Sequence, residues 1–219
     1  MKPDSITPLV GKPVKDLYGR NAGLAIGFSI DTSGEVKSIG VDEGKGKFAE
    51  YPSSRLLTDK DGFVVVPAWK IESEVLSREQ EMVKKRLQAL TDLRKEGEIS
   101  KVTHDRMYQQ YEEQFDKIQI SFSEFGKKIT QRVKELEQQE EVLEEFLVNI
   151  KVYSRSGEID EAGYKAMMEM SNSMTARDAR EKEELNRVLD SISELIGRDV
   201  MGPESAPVSI KATIKATGS

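Results

Sequence analysis

Few residues in this chain could do covalent or metal chemistry. The chain has no cysteine and one histidine, His104, which follows Thr103 at a predicted helix start without metal-ligating company. The sequence also has no glycine-rich phosphate loop and no nucleophile elbow. Since an enzyme needs convergent groups in a pocket, this inventory predicts a protein that is not an enzyme and that needs no cofactor or metal.

Carboxylates are the remaining candidates for chemistry, and their positions argue against it. Two glutamate pairs, at 140–141 and 144–145, fall on outward-facing positions of a predicted helix, where they form a solvated face. The aspartate-containing turns at 31–34 and 59–62 lack the repeated oxygen ligands and the terminal glutamate of a calcium loop. Backbone capping is therefore the expected use of these aspartates.

The elements that carry these groups are long helices, marked by a seven-residue apolar repeat from Tyr108 to Tyr153. Polar residues interrupt only the second of its two columns, at Arg132 and Gln139. Such spacing is typical of a coiled-coil seam, and a helix of this span is about 70 Å long. The residues that we expect to mediate self-association are Tyr108, Tyr111, Phe115, Ile118, Phe122, Phe125, Ile129, Leu136, Leu143, Phe146 and Ile150.

Glycines divide the helical part of the chain into three helices. Gly97 and Gly157 each precede a glutamate, an isoleucine and then a capping side chain, Thr103 in the first copy and Asp160 in the second. This weak internal repeat predicts helices at 71–96, 103–154 and 160–197. The outer two helices could fold back along the middle one, or the set could pair between two chains. The first helix supplies little apolar surface, which favours a homodimer and, beyond it, filaments.

Two features of the helices leave alternatives open. The polar residues Arg132 and Gln139 could fix the register of a coiled coil, or the seam could rotate outward at these positions because straight helices drift from a strict heptad. A methionine cluster at helical spacing could fill the core, which is the expectation, or form an adaptable docking face. Its members are Met167, Met168, Met170 and Met174.

The first 70 residues differ in pattern from the rest of the chain. Short β-rich runs, at 24–30, 36–41, 48–51 and 63–66, alternate with glycine-containing turns. This pattern predicts a small antiparallel β-barrel or sandwich. We therefore expect an α+β fold with a β domain at 1–70, a helical coiled-coil arm at 71–200 and a tail at 201–219. We expect the arm and the β domain to mediate self-assembly together, with the β domain making the second contact in a filament.

Both the residues of the first domain and the order of the domains resemble those of known protein families. The segment Gly11–Arg20, the glycines Gly23 and Gly27, and the turn before Ile39 resemble the PRC-barrel family, whose fold is a small β-barrel. A barrel of this kind followed by coiled coil and a short tail resembles the CdvA family of archaeal cell-division proteins. The resemblance implies a cytoskeletal scaffold at the inner membrane face of the division site that recruits an ESCRT-III-like partner, CdvB. The alternative is a PRC-barrel adaptor that docks to RNA or to ribosome-maturation partners.

Charge limits the partners that the helical arm could bind. Residues 71–199 carry 21 basic and 29 acidic side chains, a net charge of −8. Because binding to nucleic acid depends on lysine and arginine contacts to phosphate, we expect no nucleic-acid binding along the arm. The sequence has no apolar run of the roughly 20 residues that span a bilayer, so we expect only peripheral membrane contact, from the cytoplasm.

The tail has a strand pattern of its own. Apolar and polar residues alternate with a period of two after Pro207, which predicts β-addition to the sheet edge of a partner. The alternatives are disorder, or closure of the edge of the chain's own barrel. The residues that we expect to bind the partner are Val208, Ile210, Lys211, Ala212, Ile214 and Lys215.

Overall fold

The computed structural model describes residues 1–58 and 61–197. It is an α+β structure, as the sequence predicts: a six-stranded sheet comes first and three long helices follow. The predicted partner-binding tail, 201–219, lies outside the described residues. Residues 1–66 are called the sheet domain below.

The sheet domain begins with a short helix, α1 (Pro3–Ile6), which covers one side of the sheet with the buried Ile6. Two short 3₁₀ turns, Thr7–Leu9 and Ser53–Arg55, lie in the connections. The strands are β1 (Pro13–Asp16), β2 (Asn21–Ile30), β3 (Val36–Gly44), β4 (Lys47–Pro52), β5 (Leu56–Thr58) and β6 (Phe63–Val65).

The order of strands in the sheet is β4-β3-β2-β1-β6-β5. All neighbours are antiparallel except β1 and β6, which pair in parallel with Val14 opposite Phe63. The expectation of antiparallel pairing is wrong at this pair. The reason is topological: the chain passes from β4 at one end of the sheet to the β5–β6 hairpin, which adds to the free side of β1. Within the described residues, the sheet ends at β4 and β5 and is not seen to close into a barrel.

The core of the sheet domain follows the alternation of the strands. Val14, Ile39 and Val41 are fully buried, and they point to the same face as Phe63. The sequence predicts most of β2, β3, β4 and β6 but neither β1 nor β5. Among the short strands, β6 consists of aromatic and β-branched residues, which mark it as a strand, whereas β1 and β5 each have only one such residue, Val14 and Thr58.

Three helices form the arm: α2 (Ala68–Lys95), α3 (Lys101–Ser156) and α4 (Glu161–Gly197). With 56 residues, α3 is about 84 Å long. Both outer helices run antiparallel to α3, because the start of α2 reaches the middle of α3 at the Glu72–Lys128 ion pair and the end of α4 returns to Gln119. The three predicted helices are thus present, with ends within three residues of those expected.

Local capping explains where α3 begins and ends. The Ser100 hydroxyl accepts a hydrogen bond from the backbone N–H of Thr103, so Ser100 is the N-cap and the expectation of Thr103 as the cap is wrong. Thr103 is one turn inside the helix, since Ser100 offers an equally good cap earlier in the chain. At the other end Gly157, with φ of 80°, takes the left-handed conformation that terminates the helix.

Candidate functional site

The first half of the predicted seam is covered inside a single chain. Phe122, Phe125 and Ile129 are almost completely buried, and they form one cluster with residues of α2 and with Leu185 and Ile192 of α4. The other seam residues in this half, partly or fully buried in the same cluster, are Tyr108, Tyr111, Phe115, Ile118 and Leu136. The surface that the sequence assigned to a second chain is thus supplied in this half by both α2 and α4.

The second half of the seam has a different environment. Residues 137–177, which we call the hairpin end, contain the end of α3 and the start of α4, and within the described chain they contribute to neither core cluster. Ile150 is buried and Leu143 half-buried, because this column faces α4. Phe146, from the other column, is 53% exposed. In this half of the seam, one apolar column is therefore covered by α4 of the same chain, whereas the other column is exposed.

The exposed column belongs to a wider apolar surface. Val142, Phe146, Asn149 and Tyr153 follow one another on α3 with spacings of four, three and four residues, so they lie along one side of the helix. The same spacing recurs on α4. We call the two stripes together the hairpin face; its residues are Val142, Phe146, Asn149, Tyr153, Gly163, Met167, Met170 and Met174.

The two stripes lie on the same side of the hairpin. A groove of about 490 Å³ is lined by Val142 and Leu143 of α3 and by Met174 of α4, together with the polar residues Glu135, Gln138 and Gln139 of α3. Met167, Met170 and Met174 are exposed and Met168 is half-buried. The expectation that the methionines fill the core is therefore wrong for three of the four, because the hairpin end has only two helices and no third layer to cover them.

Next to the hairpin face, an ion-pair network attaches the sheet domain to the arm. Arg20 binds the Oδ1 atom of Asp178 through Nη2 at 2.7 Å and Nε at 3.1 Å. Its Nη1 atom lies 2.5 Å from Oε2 of Glu181. Arg132 of α3 binds the same carboxylate of Glu181 in bidentate geometry, with both distances 2.9 Å. One glutamate of α4 therefore joins α3 and the sheet domain.

Burial gives this network its electrostatic character. Asp178 is 2% exposed and Glu181 4% exposed. Burial alone would raise the pKa of Glu181, but the hydrogen bonds from Arg132 and Arg20 outweigh it and hold that pKa below its ordinary value of 4.5. The carboxylate is thus kept ionised by two guanidinium groups from different parts of the fold.

A second set of contacts lies one turn further along α4. The Tyr18 hydroxyl donates a hydrogen bond to Glu184 at 3.0 Å, and Lys70 binds the same carboxylate at 2.9 Å. Burial, and then the hydrogen bond to Glu184, raise the pKa of Tyr18 above its ordinary value. The Arg20 guanidinium stacks over the Tyr18 ring, 5.2 Å from the centroid. The sheet domain is therefore docked on α4 by polar contacts.

The network explains the first polar interruption of the seam. Arg132 breaks the apolar column because it pairs with Glu181 of the same chain. Gln139, the second interruption, is exposed and lines the groove of the hairpin face. Sequence reasoning missed Arg20, Asp178 and Glu181. The sequence did contain a signal for this contact. On α4 the uncharged Met174 is followed seven residues later by the acidic Glu181, and on α3 the uncharged Gln139 is preceded seven residues earlier by the basic Arg132. Two heptad positions thus become oppositely charged at the same height along the packed helices.

Within 1–58 and 61–197, no helix combines the length and the apolar character needed to cross a bilayer. In the same residues, no group of three or more histidine, aspartate or glutamate side chains has a metal-holding arrangement.

The fold defines an α+β protein in which a small sheet domain is docked on a long antiparallel helical arm. Residues 68–211 match the model of the CdvA-like coiled-coil domain. This match spans α2, α3 and α4, and the chain belongs to that family, as the resemblance predicted. The chain is also similar to Cell division protein A of Sulfolobus acidocaldarius, with 28% identity over 190 residues that make up 87% of this chain and 79% of that protein.

Proposed function

We propose that this protein acts in cell division as a non-enzymatic scaffold that self-associates through its helical arm. Membership of the CdvA-like coiled-coil family and similarity to Cell division protein A support the cell-division role. A helix of about 84 Å suits a molecule that spaces and pairs with other molecules.

The observation that carries self-association is the exposed second half of the seam. Phe146 continues the heptad column of the buried Phe125, yet it is 53% exposed in the single chain. Contiguous exposed apolar surface beside a polar rim marks an interaction site in a protein that folds around its own core elsewhere. The core cluster of α2, α3 and α4 is complete without this region.

Recruitment of an ESCRT-III-like protein, CdvB, is the second part of the proposal. It rests on the alternating pattern of 208–215 in the sequence and on the resemblance to the CdvA family. Addition of a short strand to the sheet edge of a partner would use main-chain hydrogen bonds for affinity and alternate apolar side chains for specificity. The proposed place of action is the cytoplasmic face of the membrane at the division site, through peripheral contact.

A truncation after Met201 tests recruitment. The full chain and the truncated chain are compared for binding to purified CdvB by calorimetry, and for thermal unfolding. The proposal expects binding by the full chain, no binding by the truncated chain and the same unfolding temperature for both. Equal binding by both chains would refute the tail as the recruiting segment.

Localisation tests the cellular role. A fluorescent fusion of the full chain in dividing archaeal cells is expected to form a band at midcell before constriction, and a uniform distribution through division would contradict the proposal. The RNA or ribosome-maturation adaptor stays a prediction; the net charge of −8 on residues 71–199 argues against RNA contact along the arm.

A further inference from the structure

The hairpin face is large enough to be an interface. Six of its side chains are between 41% and 75% exposed, with Met170 the most exposed. At roughly 100 Å² for each half-exposed side chain of this size, the face presents about 600 Å² of apolar surface. A specific interface buries about 800 Å² on each partner, including a polar rim, so the face supplies most of what a stable dimer needs.

The composition of the hairpin face selects its partner. A third of the chain is charged, but none of the eight residues of the face is. An acidic or basic partner would have to bury its charges against methionine and phenylalanine without counter-ions, which is costly. A partner with an uncharged apolar face of the same width is required, and the hairpin face itself has these properties.

The hairpin face continues directly into the contact with the sheet domain. On α4, Met167, Met174 and Glu181 are spaced by seven residues, and the last of them binds Arg20 of the sheet domain. On α3, Phe146 is fourteen residues after Arg132, which binds the same glutamate. The sheet domain thus contacts this side of the hairpin at Glu181, which Arg132 also binds, and this contact marks the base of the hairpin. The exposed hairpin face begins beyond this contact.

This position of the sheet domain decides how two copies can meet. If two hairpin faces packed together with their tips pointing in the same direction, both sheet domains would have to occupy the same space at the base. If the tips point in opposite directions, each tip ends against the sheet domain of the other copy. Closed two-fold pairing of one patch with itself is also the commonest form of self-association.

We infer that the hairpin face binds the hairpin face of a second copy of this chain, antiparallel and about a two-fold axis, to form a four-helix bundle. Full overlap of the α3 stripe under this symmetry places Val142 of one copy opposite Tyr153 of the other. The Met170 and Met174 side chains of each copy then pack on the second copy, where flexible thioethers fill irregular gaps. This inference rests on the proposed self-association and specifies its surface and orientation.

The surface is tested with two matched substitutions in the full chain. Phe146→Glu places a charge on the hairpin face, whereas Val152→Glu places one on a different side of the same helix, at almost equal exposure of 53% and 52%. Both sites are open in the single chain, so circular dichroism should show unchanged folding. Sedimentation equilibrium is expected to give a dimer for the unsubstituted chain and for Val152→Glu, and at least a tenfold weaker dimer for Phe146→Glu.

Each other outcome has a distinct meaning. Dimers of equal strength for all three proteins would overturn the hairpin face as the interface while leaving self-association intact. Equal loss in both variants would also overturn it, because the effect would not be specific to one side of α3. A monomeric unsubstituted chain at all concentrations would overturn both the inference and the proposed self-association.

The orientation is tested with introduced thiols, for which the chain is suited because it has no cysteine. Val142→Cys and Tyr153→Cys are oxidised separately and as a mixture, and cross-linked dimers are measured on non-reducing gels. Disulfides form only where the two Cα atoms approach within about 7 Å. Antiparallel pairing predicts cross-linking in the mixture and little in either variant alone. Cross-linking of either variant with itself, or no cross-linking in the mixture although the dimer is present, would overturn the inference.

Discussion

Phe125 and Phe146 occupy the same heptad column of α3, three heptads apart, yet Phe125 is completely buried and Phe146 is half exposed. The difference comes from the elements around the helix. Phe125 lies where α2 and α4 both pack on α3, whereas Phe146 lies in the hairpin end, where only α4 is present. One repeated sequence pattern therefore serves an intramolecular core in one half and an open surface in the other.

This relationship predicts different costs for the same substitution. Phe125→Ala should lower the free energy of unfolding by about 3–5 kcal/mol, because it leaves a cavity in the core. Phe146→Ala should change it by less than about 1 kcal/mol at low protein concentration, since the side chain is solvated in the single chain. Urea unfolding followed by circular dichroism measures both values. Equal losses for the two variants would contradict the assigned environments.

The ion-pair network predicts a large effect from a residue far from the helices in sequence. Arg20→Ala leaves Asp178 without its guanidinium partner and removes one of two from Glu181, at a cost of about 3 kcal/mol. Arg187→Ala is the control, because it removes an exposed ion pair with Glu183 on the same helix, worth no more than about 1 kcal/mol. Denaturant midpoints measure the difference, and equal midpoints would show that the network does not hold the sheet domain.

Acidification should weaken the same contact. The pKa values of Glu181 and Glu184 lie below their ordinary 4.5: burial raises each of them, but hydrogen bonds from Arg132 and Arg20 in one case, and from Lys70 and Tyr18 in the other, outweigh it. The folded state therefore binds these protons less readily than the unfolded state, so the contribution is present above pH 4.5 and is lost as pH falls through the lowered pKa values.

The measurement is the free energy of unfolding from pH 7 down to about pH 3. We expect Glu181→Gln to be less stable than the unsubstituted chain at pH 7 and to lose less stability on acidification, because the titrating group is gone. A variant that loses as much as the unsubstituted chain would show that other carboxylates cause the acid sensitivity.

Two glycines of the arm predict opposite effects of alanine. Gly157 ends α3 with φ of 80°, a conformation that costs other residues about 1 kcal/mol, so Gly157→Ala should lower stability by that amount. Gly126 lies inside α3, and a Cβ there would be 3.8 Å from Ile192, an ordinary contact. Gly126→Ala should raise stability by about 0.5–1 kcal/mol through helix propensity. Thermal unfolding of both variants checks the two signs; effects of the same sign would contradict the assignment.

The sequence predicts helices well because long helices repeat their signals many times. Gly97 and Gly157 mark two ends, and the heptad columns fix which residues of α3 meet other helices. The sheet is less predictable: the parallel pair of β1 with β6 joins residues about fifty positions apart, and β1 and β5 have few of the aromatic and β-branched residues that mark a strand. The predicted tail lies outside the described residues.

In the candidate site, too, features that depend on neighbouring residues could be predicted from the sequence, whereas contacts between residues far apart in the chain could not. The column that contains Phe146 is visible in the sequence, but its exposure depends on where α2 and the sheet domain end along α3. The contact of Arg20 with Asp178 joins residues 158 positions apart. Only the fold brings such pairs together, so the network could not be predicted, although the change from Met174 to Glu181 in one heptad column marks its position.

The length of the particle tests antiparallel pairing at the hairpin end, because this pairing places the two arms in line with each other. With Val142 opposite Tyr153, the two copies of α3 together span about 140 Å, compared with about 84 Å for one. Small-angle X-ray scattering of the full chain over a range of concentrations measures the long dimension of the particle. Growth by about 55 Å as dimers form is the predicted result. A dimer whose long dimension stays that of the single chain would overturn antiparallel pairing through the hairpin face.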